Sequence, residues 1–471
     1  MAESGLPTSK SLRVYDSILD TIGNTPLVRL SNIGHHLTCQ LYAKIEFFNP
    51  GGSVKDRIAL NIIEEAEKSG KLKPGGTVVE STSGNTGLGL AIICTLRGYK
   101  SVFVMPDKMS HEKIQLLRAY GAKVIITPTS VAPEDPRSYY SVANKIVEDT
   151  PNAILANQYH NPENPRSHYE STGPEIWEQT RGKVTDVVVG LGTGGTISGA
   201  GKYLKEQNSE IKMVGVDATG SILMEIWKNK GEIPEGAKAI TYKVEGIGED
   251  FLPSTTDLSM IDEIVRVTDK ESFLMTRQLV KEEGIFAGGS SGSALSAALK
   301  YAKDFPAERI VVVLLPDTGA RYLSKVFDDK WMRENGYLDT EWGEVSLSVV
   351  LDEKQSQNLI TASVKDSMSD VISLMKVNDI SQVLTLNPDG SPAGLVREID
   401  LLKHLLDNQH KHNGSEPIAN ILQPMPPTFP AHTRLEEVMT AIVESNVIIV
   451  MEGKEMLGIL SKIDILDFIS Q

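Results

Sequence analysis

Asn49-Pro50-Gly51-Gly52-Ser53-Val54-Lys55-Asp56-Arg57 lies between an apolar run and an amphipathic stretch, Asp56–Ser69. Two glycines and a serine at such a junction are ordinary turn and N-cap chemistry. Lys55 is not ordinary there. A cation in the first turn of a helix opposes the dipole by about 0.3–1 kcal/mol. A lysine tied up as a Schiff base escapes much of that cost, and needs a lowered pKa to react. A lone lysine is usually a solvated surface residue, so the surroundings must decide.

Outward from this stretch, between Leu41 and Phe327, short apolar runs alternate with helical patterns. The periodicity predicts strands at Leu41–Phe47, Thr77–Ser81, Ser101–Met105, Lys123–Thr127, Val184–Val189, Lys212–Asp217 and Ile310–Leu315. Helices are predicted at Asp56–Ser69 and His111–Tyr120. Near-continuous apolar runs suit strands buried on both faces of a parallel sheet. The alternation predicts an α/β fold.

Two further loops share the strand–loop–helix setting. Ser81-Thr82-Ser83-Gly84-Asn85-Thr86-Gly87 offers hydroxyls, backbone N–H groups and one amide, which suits a carboxylate or merely over-supplies an N-cap. Gly190-Leu191-Gly192-Thr193-Gly194-Gly195-Thr196 follows the apolar Val187–Val189, and its glycines let backbone N–H groups crowd round a phosphate. The same loop matches GxGxxG, with Asp217 ending the next strand. On this loop alone a dinucleotide-binding enzyme stays open.

Taken together, the three motifs resemble those of the fold-type II pyridoxal-phosphate enzymes, whose core is like that of the tryptophan synthase β subunit. Ile22-Gly23-Asn24-Thr25-Pro26-Leu27-Val28 resembles the opening of cysteine synthases and cystathionine β-synthases. The resemblance covers Tyr15 to Leu338 and implies a two-lobed catalytic domain over residues 1–340. It implies that Lys55 binds pyridoxal 5′-phosphate, that Asn85 meets the ring 3′-oxygen, and that Gly192, Thr193, Gly194, Gly195 and Thr196 cup the phosphate. Ser290, in Ala287-Gly288-Gly289-Ser290-Ser291-Gly292, matches the partner of the pyridine nitrogen, and is also placed for a plain N-cap. Thr82, Ser83 and Thr86 match the substrate-carboxylate loop, together with Gln158. Tyr159 lines the homocysteine entrance or is structural. Gly246 belongs to Glu245–Pro253, which resembles the second-substrate loop of the synthases.

The implied reaction condenses L-serine with L-homocysteine to cystathionine and water through an aminoacrylate, with hydrogen sulfide release from cysteine as a side reaction. O-acetylserine sulfhydrylase is the alternative. A metabolite sensor with a decayed catalytic domain has no need of Lys55, Asn85, Ser290 and the phosphate-cup glycines. Heme-containing members of the family carry an N-terminal Cys and His as axial ligands. The residues before Gly23 hold neither, and His35, His36 and Cys39 read as loop residues, so no heme is expected.

Beyond Trp342 the pattern changes. Gly394–Leu401 aligns with Gly458–Ile465, and amphipathic stretches at Ser367–Lys376 and Arg434–Val443 precede them. Each copy reads as helix, strand, strand, helix, and one copy alone buries its apolar face poorly. The expected layout is a linker at 341–354, one repeat at 355–412 and another at 413–471, an α+β pair resembling tandem CBS domains. Gly458-x-x-Ser461-x-x-Asp464 resembles a ribose-binding signature, with S-adenosylmethionine or an adenine nucleotide as the implied ligand. The first copy has Arg397 in place of the serine. Self-association alone is the other reading of the module, and a homodimer or higher oligomer is the family expectation.

A formal net charge of −15 argues against nucleic acid and anionic membranes as partners. The two cysteines, Cys39 and Cys94, form no CxxC pair and supply no thiolate metal site. Met1–Lys10 has no apolar signal-peptide core, and no run of about 18 apolar residues occurs. The expected location is cytoplasmic.

Overall fold

The computed structural model describes residues 14–82, 84–107, 111–128, 131, 135–338, 342–354, 359–407, 414–453 and 455–470. It divides into two compact units, Met1–Tyr337 and Leu338–Gln471.

In the first unit the described strands are β1 (Leu27–Arg29), β2 (Gln40–Ile45), β3 (Thr77–Ser81), β4 (Lys100–Pro106), β5 (Lys123–Thr127), β6 (Ala153–Leu155), β7 (Asp186–Gly190), β8 (Lys212–Ala218), β9 (Glu263–Val267) and β10 (Ile310–Leu315). One sheet runs β1-β2-β10-β7-β8-β9 and the other β5-β4-β3-β6. Only the β1–β2 pairing among these strands is antiparallel.

The unbroken apolar runs follow from burial on both faces. Along β7 and β10, Val188, Val311, Val313 and Leu315 pack with Ala294 and Ala298 of the Gly289–Ala302 helix. Their neighbours Val187, Val189, Val312 and Leu314 pack on the other side with Ile197 and Leu204 of the Gly195–Gln207 helix. The smaller sheet repeats the plan, with Val78, Phe103 and Met105 against Ile62, Ile63, Leu90 and Ile93. Each such side chain withdrawn from water contributes roughly 1.5–3 kcal/mol. The result is the two-lobed α/β core.

Some elements differ from expectation. The strand predicted to reach Phe47 stops at Ile45, because the buried Glu46 turns inward to take a 2.7 Å bond from Arg57. Strands β1, β6 and β9 were not predicted. The first two span three residues each, too few for a period to register, and β9 (Glu-Ile-Val-Arg-Val) carries two charges.

The second unit holds β11 (Thr361–Ser363), β12 (Gln382–Leu386), β13 (Pro392–Arg397), β14 (Thr428–Pro430), β15 (Val447–Glu452) and β16 (Glu455–Ser461). They form two three-stranded sheets, β11-β12-β13 and β14-β15-β16, each with one parallel and one antiparallel pairing. The copies therefore match, each with a short leading strand added to the expected pattern.

The two copies exchange their leading segments. The Leu347–Glu353 helix precedes the first copy, yet Leu347 and Val350 pack with Leu435, Val438, Ile448 and Leu460 of the second. The Ile418–Ile421 turn precedes the second copy, yet Ile418 and Ile421 pack with Val371, Met375 and Val396 of the first. The aligned glycines mark where these segments approach. A Cβ on Gly394 would lie 2.5 Å from Gln423 O, and one on Gly458 2.7 Å from Leu351 Cδ1. Among the described residues no helix is long and apolar enough to cross a membrane.

Candidate active site

Lys55 is the first residue of the Lys55–Lys68 helix; the N-cap Val54 makes no side-chain cap, and Ser53 Oγ accepts from Lys55 N at 3.2 Å. The lysine is half-buried, and burial pushes its ammonium down to about 8 while the carboxylates of Glu249 and Asp317 pull the other way. The rest of its motif is a frame. Asn49 Oδ1 accepts from Gly23 N at 2.8 Å, and Asp56 Oδ2 accepts from Gly51 N at 2.5 Å. Arg57 donates to Glu46 at 2.7 Å and to Glu175 at 2.6 Å. Glu175 also takes Asn24 N at 2.9 Å and Lys44 Nζ at 2.6 Å, and Thr25 Oγ1 donates to Glu46 at 2.6 Å. The Gly-Asn-Thr-Pro stretch and the lysine motif are thus two sides of one buried ion cluster.

The carboxylate-type loop follows β3. Thr82 Oγ1 accepts from Gly84 N at 3.1 Å, and Thr86 Oγ1 donates to Gln158 Oε1 at 2.6 Å. Ser83 lies outside the described residues. Asn85 opens the next helix and donates to Asp317 Oδ2 at 2.8 Å, while its own Oδ1 is buried without a partner. Gln158 N donates to Glu80, whose carboxyl burial raises to about 7. Tyr159, next along, has its ring 5.4 Å from that of Phe251, and burial, then the charge of Glu249, raises its phenol well above its usual pKa.

The glycine loop follows β7. Gly194 has φ +75° and is the N-cap of the Gly195–Gln207 helix, with no side-chain cap. A Cβ on Gly192 would lie 2.9 Å from Gly246 O, one on Gly194 would strike Thr256, and one on Gly195 would strike Asn164. Thr193 Oγ1 accepts from Asn164 Nδ2 at 2.9 Å, and Thr196 Oγ1 is 3.2 Å from His168 Nε2. Burial, then the charges of Lys55 and Arg57, keep His168 well below its usual pKa, so it is neutral. Ser290 is buried, second in the Gly289–Ala302 helix, and Gly288 rather than Ser290 is the N-cap. Its Oγ is 3.8 Å from where a Cβ on Gly246 would sit.

The site therefore gathers at the C-terminal ends of strands from both sheets, the usual place for a ligand in open α/β folds. Four helices begin there, at Lys55, Asn85, Gly195 and Gly289, and their N-cap residues, Val54, Gly84, Gly194 and Gly288, make no side-chain cap. Some helix starts elsewhere carry one, where Ser138, Thr268 and Asp328 each accept from their own helix, but those at Glu163, Gly173, Leu223, Leu347 and Leu435 do not. Uncapped N–H groups with the positive dipole end favour an anion.

Comparison with known proteins agrees. A family model described as "Pyridoxal-phosphate dependent enzyme" matches residues 18–317, and one described as "CBS domain" matches 353–407 and 418–471. A cystathionine beta-synthase of Apis mellifera is 44% identical over 390 residues, 80% of this chain and 75% of that one. A cystathionine beta-synthase of Saccharomyces cerevisiae is 40% identical over 437 residues, 86% of this chain and 85% of that one. The chain belongs to the cystathionine β-synthase family of pyridoxal-phosphate-dependent enzymes. Its first unit also resembles the crystal structure of a hydrogen sulfide-producing enzyme from Fusobacterium nucleatum, with a TM-score of 0.60, 40% identity, and coverage of 66% of this chain and 100% of that one.

The residues present fit the cofactor of this synthase family. A half-buried lysine with a lowered pKa suits a Schiff base. The uncapped Gly195 helix behind tightly packed glycines suits a phosphate, and the orphaned Asn85 Oδ1 marks a buried polar group awaiting a partner.

Five residues escaped the sequence reading: Glu80, Asn164, His168, Glu249 and Asp317. Two left a usable signal: Asp317, a carboxylate two residues beyond the predicted strand Ile310–Leu315, and Glu249, inside the Glu245–Pro253 stretch that resembles the second-substrate loop. In the second unit Ser461 and Asp464 do meet, Asp464 Oδ2 accepting from Ser461 N at 2.7 Å and Ser461 Oγ at 2.6 Å. Lys354 Nζ also reaches that carboxylate, at 3.1 Å. In the first copy Arg397 closes the matching position on Asp400 with two 2.8 Å bonds. Cys39, read as a surface or loop residue, does lie on the loop before β2 and is buried there.

Proposed function

We propose that the chain joins L-serine to L-homocysteine, giving cystathionine and water, by β-replacement on pyridoxal 5′-phosphate. The choice of substrates rests on one observation: the match to the yeast synthase is too long to stop at the first unit.

When bound, pyridoxal phosphate supplies a carbonyl carbon for the substrate amine and a ring that accepts electron density from Cα. In this reading Lys55 would hold it, Asn85 would meet the ring oxygen, Ser290 the ring nitrogen, and Gly192, Thr193, Gly194, Gly195 and Thr196 the phosphate. A neutral Ser290 hydroxyl leaves that nitrogen largely unprotonated, which favours prompt loss of the β-substituent. Thr82, Ser83, Thr86 and Gln158 would take serine's carboxylate, and the Thr86–Gln158 bond orders two of them in advance. The Lys55 amine takes the Cα proton and returns one to the departing hydroxyl. A pKa of about 8 keeps both of its forms accessible near neutral pH. Homocysteine enters beside Tyr159 and Gly246, and its thiolate attacks serine's Cβ. With cysteine in place of serine, the same steps release hydrogen sulfide.

The test is product identification by mass spectrometry on the purified protein, with homocysteine and serine in one arm and sulfide and O-acetylserine in the other. Dominant cystathionine is the expected result. Dominant cysteine from O-acetylserine would assign the protein to the sulfhydrylases and leave Lys55 in its role.

The proposal extends to the second unit, as an adenosyl-ligand module with Ser461 and Asp464 at the ribose. A ribose there must displace Lys354 from Asp464. Calorimetry with S-adenosylmethionine, AMP and ATP tests this, and silence with all three removes it. Homodimerisation and a cytoplasmic location complete the reading; light scattering and fractionation check them.

A further inference from the structure

Glu249 is held by its backbone. Its N–H donates to Ser221 Oγ at 3.0 Å, the same hydroxyl donates to Glu249 O at 3.1 Å, and Ile222 N donates there too. The preceding residue is pinned to the phosphate-type loop, with Gly248 N 2.6 Å from Leu191 O. The loop is thereby fixed against the site, with Phe251, two residues on, 5.4 Å ring to ring from Tyr159, and the Glu249 charge is felt by Lys55 and by the phenols of Tyr159, Tyr139, Tyr140 and Tyr242. Among the described residues it makes no ion pair.

A partly buried carboxylate without a cation is costly, and proteins rarely keep one without use. Lys55 does not repay the cost, since on the reading above its amine is committed to the cofactor and to proton transfer. A carboxylate near several phenols and without a cation of its own is a setting that accepts an ammonium. Of the charges the proposed reaction brings in, the phosphate and serine's carboxylate already have receivers, and serine's amine is committed to the cofactor. The cation left over belongs to the second substrate.

We propose that Glu249, on the loop that meets Tyr159 through Phe251, receives the α-ammonium of the incoming amino-acid thiol and so selects homocysteine over thiols that lack an amine. This specificity-determining role rests on homocysteine being the second substrate, and the experiment separates the two claims.

The holoenzyme is assayed at saturating serine with homocysteine and with 4-mercaptobutyrate, the same carbon chain without the amine. Wild-type kcat/KM should favour homocysteine by about tenfold or more, the scale of one charged hydrogen bond in a partly buried site. Glu249→Gln should lose most of that preference through a raised homocysteine KM, and Glu249→Asp should recover part of it. Should Glu249→Gln fail to load cofactor, Tyr159→Phe is read by the same ratio. An unchanged ratio, or equal losses with both thiols, overturns the proposal. A wild-type enzyme that makes no thioether from homocysteine overturns the substrate reading, and the proposal with it.

Discussion

Lys55 holds its proton less firmly than a surface lysine, because burial outweighs the pull of Glu249 and Asp317. Lys55→Ala removes the amine that binds the cofactor and moves the proton. Its turnover should fall by about a thousandfold or more, with pyridoxal phosphate still bound through the untouched glycine loop. Rate assays with equilibrium dialysis check both halves, and substantial turnover by the variant would refute the role of Lys55. Glu249 gives a pH signature. Burial raises its carboxyl to about 7, against the pull of the Tyr159 hydroxyl and of Lys55, with Asp250 adding to the rise. Below pH 7 it gains a proton and loses its charge. The homocysteine KM should therefore climb below pH 7, while that for 4-mercaptobutyrate should stay nearly flat. Lys55 was legible in the sequence because its glycines, serine and helix start are adjacent along the chain. Glu249 and Asp317 were not, since Asp317 meets Asn85 across 232 positions and Glu249 meets Tyr159 only through the fold.

At the scale of elements, the lysine helix is anchored by the cluster of Arg57, Glu46, Glu175 and Lys44. Lys44 and Arg57 have 0% and 2% of their side chains exposed, so each depends on its carboxylates. Glu175→Gln should destabilise the protein by about 3–5 kcal/mol, read as a lower denaturation midpoint in urea. Although burial opposes ionisation, Arg57 and Lys44 hold Glu175 down to about 2, below its ordinary 4.5. Its contribution is thus present above about pH 4.5 and lost as the pH falls toward 2. Wild type should lose stability in that window and Glu175→Gln should lose less. Strands such as β7 and β10 were legible, because burial on both faces leaves an apolar run that no tertiary contact need explain. The end of β2 was not, because a buried ion pair sets it.

At the scale of the whole chain, the second unit has a cross-wired core. Leu347→Ala should raise hydrogen exchange in β15 and β16, in the copy that follows later, and spare β12 and β13. Ile418→Ala should do the reverse. Each substitution should cost about 2–5 kcal/mol. Exchange confined to the adjacent copy in either variant would contradict the crossing. The duplication itself was legible from Gly394 and Gly458, but the crossing was not, since a repeat pattern says nothing about which copy a leading segment joins. The crossing also matters during synthesis. The Leu347–Glu353 helix leaves the ribosome well before Leu435, Ile448 and Leu460 exist to cover it. At ordinary elongation rates its apolar stripe waits on the order of ten seconds for the last strands. In that interval the nascent chain is a natural client for a holdase, at a moment when the residues that build the catalytic site have already been translated.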